Sequence, residues 1–525
     1  MHDVIIIGAG HNGLVCGAYL AKAGYKVLAL ERRAVIGGAC VTESPWPGYK
    51  VSSASYLMSL LQPKIILDLK LKEHGLEVLA SAPTTALLDE GRSFTFWPDA
   101  ERLYHEIAAL SPRDADTYRD YRAHLERMTP FIREIIWETP PNIAARTPRQ
   151  LIGSARFALK YAKYRHLFND LYEIMTMSAY DYLTRWFEND TVIALLGYYV
   201  TGGGTNASMK MPATAFSCIR PLVRDNTTAA GGGGFVRGGM GRISEAIAKS
   251  GAAHGLETRT NAAVKRILVE NGRAAGVELS DGEVLKARCI VSNANAKTTF
   301  LKLLPPSALP NAFQASVRNM RTRSGIFKVH LGVSKLPDYT AFTPSSDLAY
   351  PSAMRIGSSV AYLEKAFDDA KYGPMSAEPF LTIMAPSVHD ASLAPPGQHL
   401  LSIMGGHVAY QDDPSALPEL RASVLERVLA AIERHAPGFR PHVLHSEVLT
   451  PNDLEERFDL PGGHVHHGDQ TLDQAFTSRP VAGFADYRSP IPGLYLASSS
   501  THPGGGVTGV PGHNAAREIA RDLHR

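Results

Sequence analysis

The residues able to do chemistry open the chain. Gly8-Ala9-Gly10-His11-Asn12-Gly13 has the spacing G-x-G-x-x-G, follows the apolar run Asp3–Ile7, and leads into a helix-forming stretch from Leu14 to Ala23. In that strand–turn–helix setting the spacing is a phosphate clamp. Gly8 permits the tight turn, Gly10 lets backbone approach a pyrophosphate, and Gly13 lets the helix pack on the strand. A helix start there presents its free N–H groups to the phosphates. A second strand, Lys26–Leu30, ends in Glu31, placed to accept hydrogen bonds from a ribose diol.

The other end of the chain decides which dinucleotide is bound. Gly37-Gly38 offers a second stretch of bare backbone, and Leu494–Ala497 reads as a buried strand running into the glycine-rich turn Ser498–Gly509. A helix from about Pro511 follows, so a second helix start faces an anionic part of the ligand. NAD needs one such unit; two units from opposite ends suit FAD, held non-covalently. Thr42 and Ser53, in the loop after Gly38, are candidate contacts. For a general base the candidates are His464, His466 and His467 in a glycine-flanked loop, and His502 inside the C-terminal turn, with Asp473 and Tyr487 behind them. Each histidine also has a plain reading as a hydrogen-bonded structural residue. The spacing H-x-H-H lacks a fourth ligand nearby, so no metal site is expected.

These residues must be carried by a large scaffold. The chain has 525 residues, a formal net charge of +3, 45 glycines and four scattered cysteines with no C-x-x-C pair. That length suggests two or more domains, and so small a charge gives no ground for a nucleic-acid partner. The cysteines point to a reducing compartment; a signal peptide is not expected, since the first strand starts at Asp3, and no apolar run is long enough to span a membrane. Cytoplasmic location is therefore expected, with membrane association as an alternative. Residues 76 to 200 read as mainly helical, including Arg113–Glu134. Arg156–Phe168 is a basic, aromatic-flanked stretch: either a solvated face of a packing helix, which is favoured, or a peripheral membrane contact. From Gly231 the cofactor pattern returns. Gly238-Gly239-Met240-Gly241 precedes a helix, and the strands Val264–Val269, Gly276–Leu279 and Ala287–Val291 form a meander with Asn271-Gly272 and Asp281-Gly282 turns. Val264 enters it where an adenine would rest. No buried strand is expected to lead into Gly239-Met240-Gly241, so it is not a second fingerprint. Ile326–Val333, Phe380–Met384 and Leu400–Met404 are further strands, and Pro418–His435 is a helix. The chain thus leaves the cofactor domain twice: 1–75, 230–300 and 485–525 bind FAD, and 76–229 with 301–484 build a substrate domain.

GAGHNGLV at 8–15, ERRAVIGGACVTE at 31–43, GGMGRISEAIA at 238–248, LPGGHVHHGDQTLDQ at 460–474 and GLYLASSSTHPGGGVTG at 493–509 together resemble the phytoene desaturase family of FAD-dependent oxidoreductases. Within it the chain is most similar to the branch called pyridine nucleotide-disulfide oxidoreductase domain-containing protein 2. The resemblance implies an α/β fold: a glutathione-reductase-type, Rossmann-like FAD-binding domain with an inserted mixed α+β substrate domain. It implies FAD contacts at Gly8, Gly10, Gly13, Glu31, Arg32, Gly37, Gly38, Val264, Gly505, Gly506 and Val507, and among the histidines it extends to His467 alone. The branch name does not fit the residues. Cys40 has no redox partner nearby and no second nucleotide unit exists, which argues against disulfide reduction and against a dedicated NAD(P)H site.

The expectation is an enzyme that dehydrogenates, desaturates or isomerises a largely apolar substrate by hydride transfer to FAD. An amine or alcohol oxidase using O₂, and a non-catalytic lipid-binding or escort protein, are the alternatives.

Overall fold

The computed structural model describes residues 1–142, 147–202, 206–224 and 233–524. Sixteen strands among them form three sheets. The first holds β1 (His2–Ile7), β2 (Val27–Leu30), β7 (Leu256–Arg259), β8 (Val264–Glu270), β9 (Arg273–Leu279), β10 (Val284–Ser292) and β16 (Leu494–Leu496). The second holds β4 (Thr84–Leu87), β5 (Ser93–Phe96), β11 (Ile326–Val333), β12 (Ala353–Ile356), β13 (Met375–Met384), β14 (His399–Val408) and β15 (Val443–Leu449). β3 (Val78–Ala80) and β6 (Gly234–Val236) pair as a two-stranded ribbon.

β1 is central because it is apolar on both faces: Val4, Ile5 and Ile6 are fully buried. It lies parallel between β2 and β10, with β7 outside β2 and β16 outside β10. β10 serves two layers. Its first residues pair antiparallel with β9 in the meander, and its last run parallel to β1 and β16. Helices His11–Lys22, Gly241–Ala252 and Val510–Leu523 cover one face through Leu14, Ile243, Ile247, Ala515 and Ile519. Phe300, Leu304, Phe313 and Val317 cover the other together with Ile5 and Leu28, so this core runs past residue 300.

The second sheet runs β15-β11-β14-β13-β12-β4-β5, drawing on both excursions. Helix Leu417–His435 buries Leu420, Val424, Val428 and Ile432 against it. The helices between 100 and 223 pack on its other flank through Leu183, Tyr198 and Phe380.

Several expectations need correction. Residues 78–96 are strands rather than helix, because the alternating Thr84–Leu87 and Ser93–Phe96 segments find partners in β12 and each other. A buried strand, β6, does lead into Gly238–Gly241, but it pairs with β3 and not with the first sheet. Gly231 and the 229/230 boundary lie outside the described residues. Arg156–Phe168 is not one helix: helix Pro148–Tyr161 gives way to a 3₁₀ segment, Ala162–Leu167. Lys160 and Lys163 there pair with Glu138 and Glu134, and the apolar Leu151, Ile152, Leu159 and Phe168 are exposed beside them. Among the described residues no helix is long and apolar enough to cross a membrane.

Candidate flavin and substrate site

The C-terminal ends of β1, β2 and β10 open onto a cavity of about 500 Å³. Helix His11–Lys22 starts three residues earlier than its apolar periodicity suggests, with Gly10 as its N-cap, so Gly13 sits in its first turn. A side chain on Gly13 would stand 2.5 Å from the Gly8 carbonyl, and one on Gly10 2.7 Å from Asn293 Nδ2. Bare backbone is therefore required at both, and the helix start faces the cavity. His11 Nε2 and Asn12 Oδ1, both buried on that wall, have no hydrogen-bond partner. Open acceptors there suit hydroxyl donors of a bound ligand, while the N–H groups of the helix start suit its phosphates.

Glu31 is buried beside them. Its Oε2 accepts from the Ala9 N–H at 3.0 Å and its Oε1 from the Arg33 N–H at 3.0 Å. Each oxygen keeps a lone pair for a ligand hydroxyl. Gly8, Gly10, Gly38, Val264, Gly506 and Val507 line the same cavity. Gly13, Gly37 and Gly505 do not: they shape the turns behind it, and Gly505 sits where a side chain would meet His466 at 2.4 Å. Arg32 borders the cavity but gives Nη2 to the carbonyls of Glu456 (2.9 Å) and Arg457 (3.0 Å), closing the end of helix Pro451–Phe458. Thr42 and Ser53 are also committed elsewhere. Thr42 Oγ1 accepts from the Gly241 N–H and Ser53 donates to Glu43. Together with Ser52, which accepts from the Met240 N–H, Thr42 occupies the start of helix Gly241–Ala252, leaving little there for a second nucleotide.

The histidines separate. His467 lines the cavity in a left-handed conformation (φ 59°), with Nδ1 3.3 Å from Ser500 Oγ. Burial, aided by Arg479, pushes its pKa down to about 3, so the ring is neutral near pH 7. His502 does not line the cavity. Its Nε2 donates to the Ile135 carbonyl at 2.9 Å, tying the C-terminal turn to the end of helix Pro112–Ile135, and burial lowers it to about 4. His464 contacts Asp469 at 3.2 Å and His466 contacts Arg220 at 3.1 Å. Asp473 is an exposed partner of Arg321, and the Tyr487 hydroxyl donates to the His502 carbonyl in the core; neither lines the cavity. Arg479, fully buried, fixes the loop that carries His467. It donates to the carbonyls of His466, Asp469, Gln474 and Ser499.

The far wall of the cavity escaped sequence reasoning. It includes Tyr56 and Leu57, Tyr198 and Tyr199, Arg220 and Arg224, Lys328 of β11, Arg355 of β12, and Met384 and Met404. Lys328 is 1% exposed; its Nζ donates to Ser402 Oγ at 3.0 Å and lies 4.2 Å from the Tyr56 ring centre. Burial pushes its pKa down to about 7. A lysine inside the apolar run IFKVHLGV was a legible signal, since lysine is almost never fully buried without a task. All four cysteines are buried and free, and none lines the cavity. Among the described residues no group of three or more His, Cys, Asp or Glu is placed to hold a metal.

The family model for flavin-containing amine oxidoreductases matches residues 13–520. The chain belongs to that family. It is a flavin-dependent oxidoreductase of α/β FAD-binding fold, with mixed α+β regions, and not a disulfide reductase. It is 36% identical to pyridine nucleotide-disulfide oxidoreductase domain-containing protein 2 from Rattus norvegicus, over 99% of this chain and 94% of that one. It is 24% identical to phytoene desaturase (lycopene-forming) from Pseudescherichia vulneris, over 97% of each chain. An oxidoreductase from Methanosarcina mazei of known structure superposes with a TM-score of 0.61 at 19% identity, covering 99% of this chain and all of that one. The resemblance read from the motifs therefore holds.

Proposed function

We propose that the protein binds FAD non-covalently in a glutathione-reductase-type domain and dehydrogenates, desaturates or isomerises a largely apolar substrate. One observation carries the reading: a single cavity joins the residues of the phosphate clamp to a wall of tyrosines, methionines and Lys328. A substrate on that wall would share one space with the flavin ring. The likeness to phytoene desaturase supports an apolar substrate class.

FAD, when bound, supplies the two-electron acceptor for a hydride leaving a substrate C–H bond. Gly8, Gly10 and the start of helix His11–Lys22 would hold its pyrophosphate, Glu31 its ribose, and Gly506-Val507 would border the ring. The protein's own residues do the rest. Desaturation also releases a proton from the neighbouring carbon, and Lys328, held near pKa 7, is the wall residue whose Nζ can take it at neutral pH. His467, neutral well below pH 7, is suited to orient rather than to accept protons. Leu57, Met384 and Met404 exclude water from the apolar part of the substrate. The parts of the two excursions that build the second sheet and its helices would form the substrate-binding part, while residues 300–317 cover the first sheet. Peripheral membrane contact through Leu151, Ile152, Leu159 and Phe168 belongs to the same proposal, and co-sedimentation with anionic vesicles tests it.

The test is flavin content. Denatured protein should release FAD into the supernatant; flavin left in the pellet would contradict non-covalent attachment, and no flavin in either fraction would end the proposal.

A further inference from the structure

We infer, on the basis of the proposed flavin site, that His467 presents an Nε2–H donor to the pyrimidine edge of bound FAD and raises its reduction potential.

The donors around Ser500 fix which His467 nitrogen carries the proton. Ser500 is fully buried; its Oγ accepts from the Ala296 N–H at 3.0 Å and lies 3.3 Å from His467 Nδ1. Among the described residues that hydroxyl has no other partner. Were Nδ1 the donor, the hydroxyl would accept twice and its own proton would be buried without an acceptor, the costlier arrangement. The Ser500 proton therefore goes to Nδ1. Burial, aided by Arg479, keeps the ring uncharged at neutral pH, so its single N–H is at Nε2.

That N–H is open. Nε2 meets no hydrogen-bond partner among the described residues, and it is not sealed in the core as the two unpartnered ring nitrogens of His407 are. It belongs to a half-buried residue that lines the cavity. The backbone beneath it is held: Asn295 Nδ2 donates to the His467 carbonyl at 3.4 Å, and the His467 N–H donates to the His464 carbonyl at 2.9 Å.

The neighbours of this donor belong to the flavin end of the cavity. Ser500 lies in the same C-terminal turn as Gly506 and Val507, which border the proposed ring site. His11, close enough for its charge to act on His467, opens the first helix at the phosphate clamp. Between clamp and turn FAD would place its ribityl chain and the pyrimidine half of its ring. That half gains negative charge on reduction, so a fixed donor there holds the reduced form more tightly than the oxidised one.

The midpoint potential of bound FAD, read against a reference dye during anaerobic reduction, tests the role of His467. His467→Leu should weaken binding of reduced relative to oxidised FAD at least about 10-fold, a fall of about 30 mV for a two-electron couple. His467→Gln keeps an N–H near the Nε2 position and should restore most of the potential. Ser500→Ala, which releases Nδ1 and lets the ring turn, should move the potential down as well. Because the ring is uncharged, the gap between unmodified protein and His467→Leu should stay constant from about pH 6 to 8. Equal potentials in those two proteins, a Gln variant as low as the Leu variant, or a gap that widens toward acid pH would overturn the inference. Should the His467 variants not fold, Ser500→Ala decides: a fall supports the donor and an unchanged potential removes it. Flavin released on denaturation is measured on every sample. Absence of flavin overturns the flavin site itself, whereas bound flavin with an unshifted potential overturns only the role of His467.

Discussion

Replacing Lys328 with methionine should make the protein more stable and less active. The ordinary lysine pKa is 10.5, and burial in the folded protein pushes Lys328 down to about 7. At about 1.4 kcal/mol per unit, the charged form costs on the order of 4–5 kcal/mol on folding. The sign follows from proton counts. Between those two values the unfolded chain holds a proton that the folded chain lacks, so this residue's contribution to stability rises with pH through that window. Below pH 7 both states are protonated and the full cost is present; above 10.5 neither is, and it vanishes. Lys328→Met removes the cost and fills nearly the same volume beside Tyr56. Denaturant midpoints of both proteins, measured in parallel from neutral pH to about 9.5, should show the variant ahead at neutral pH. The gap should narrow by about 1.4 kcal/mol per pH unit. In the same samples substrate-dependent flavin reduction should fall on the order of 10²-fold, as for loss of a general base. Parallel pH curves, or a variant less stable at neutral pH, would refute the reasoning that Lys328 is held against its charge.

Other outcomes follow from the site. Glu31→Ala should weaken FAD binding by roughly 1–3 kcal/mol, and unchanged affinity in a fluorescence titration would take Glu31 out of the ribose site. His467→Ala should keep its flavin and slow flavin reduction by about 10-fold, a loss of orientation rather than of a base. His502→Ala, which frees the Ile135 carbonyl, should lower the melting temperature instead; the reverse pattern would exchange their roles. NADH and NADPH should reduce the flavin slowly, since Thr42 and Ser52 occupy the N–H groups at the start of helix Gly241–Ala252. Rapid stoichiometric bleaching by either in an anaerobic stopped-flow cell would contradict this.

The dinucleotide end of the site was legible because its chemistry is local. Glycine spacing, flanking apolar runs and Glu31 all lie within one strand–turn–helix unit, and each feature constrains the backbone directly. The substrate end was not. Tyr56, Tyr199, Arg220, Lys328 and Arg355 come from five separate segments, and only the pairing of β11 through β14 and the packing of helix Asp190–Gly202 bring them together. No spacing rule connects residues assembled by a mixed sheet. The partners of the histidines were out of reach for a related reason: H-x-H-H sits in one short loop, yet that loop turns each ring toward a different partner. The strands at 78–96 were hidden in a region whose charged helices dominate its composition, and two of their partners, β6 and β12, lie far along the chain.

In the proposed reaction flavin and substrate share one cavity, with electrons passing directly between them. Anaerobic absorbance spectra of the FAD-loaded protein, recorded while a series of apolar candidate substrates is added, decide whether this is so. The expected result is bleaching of the flavin band with one equivalent of a substrate, and recovery of the oxidised product. Tight binding of such ligands with a flavin band that never bleaches, across the whole series, would contradict it and leave a binding protein on an oxidoreductase fold.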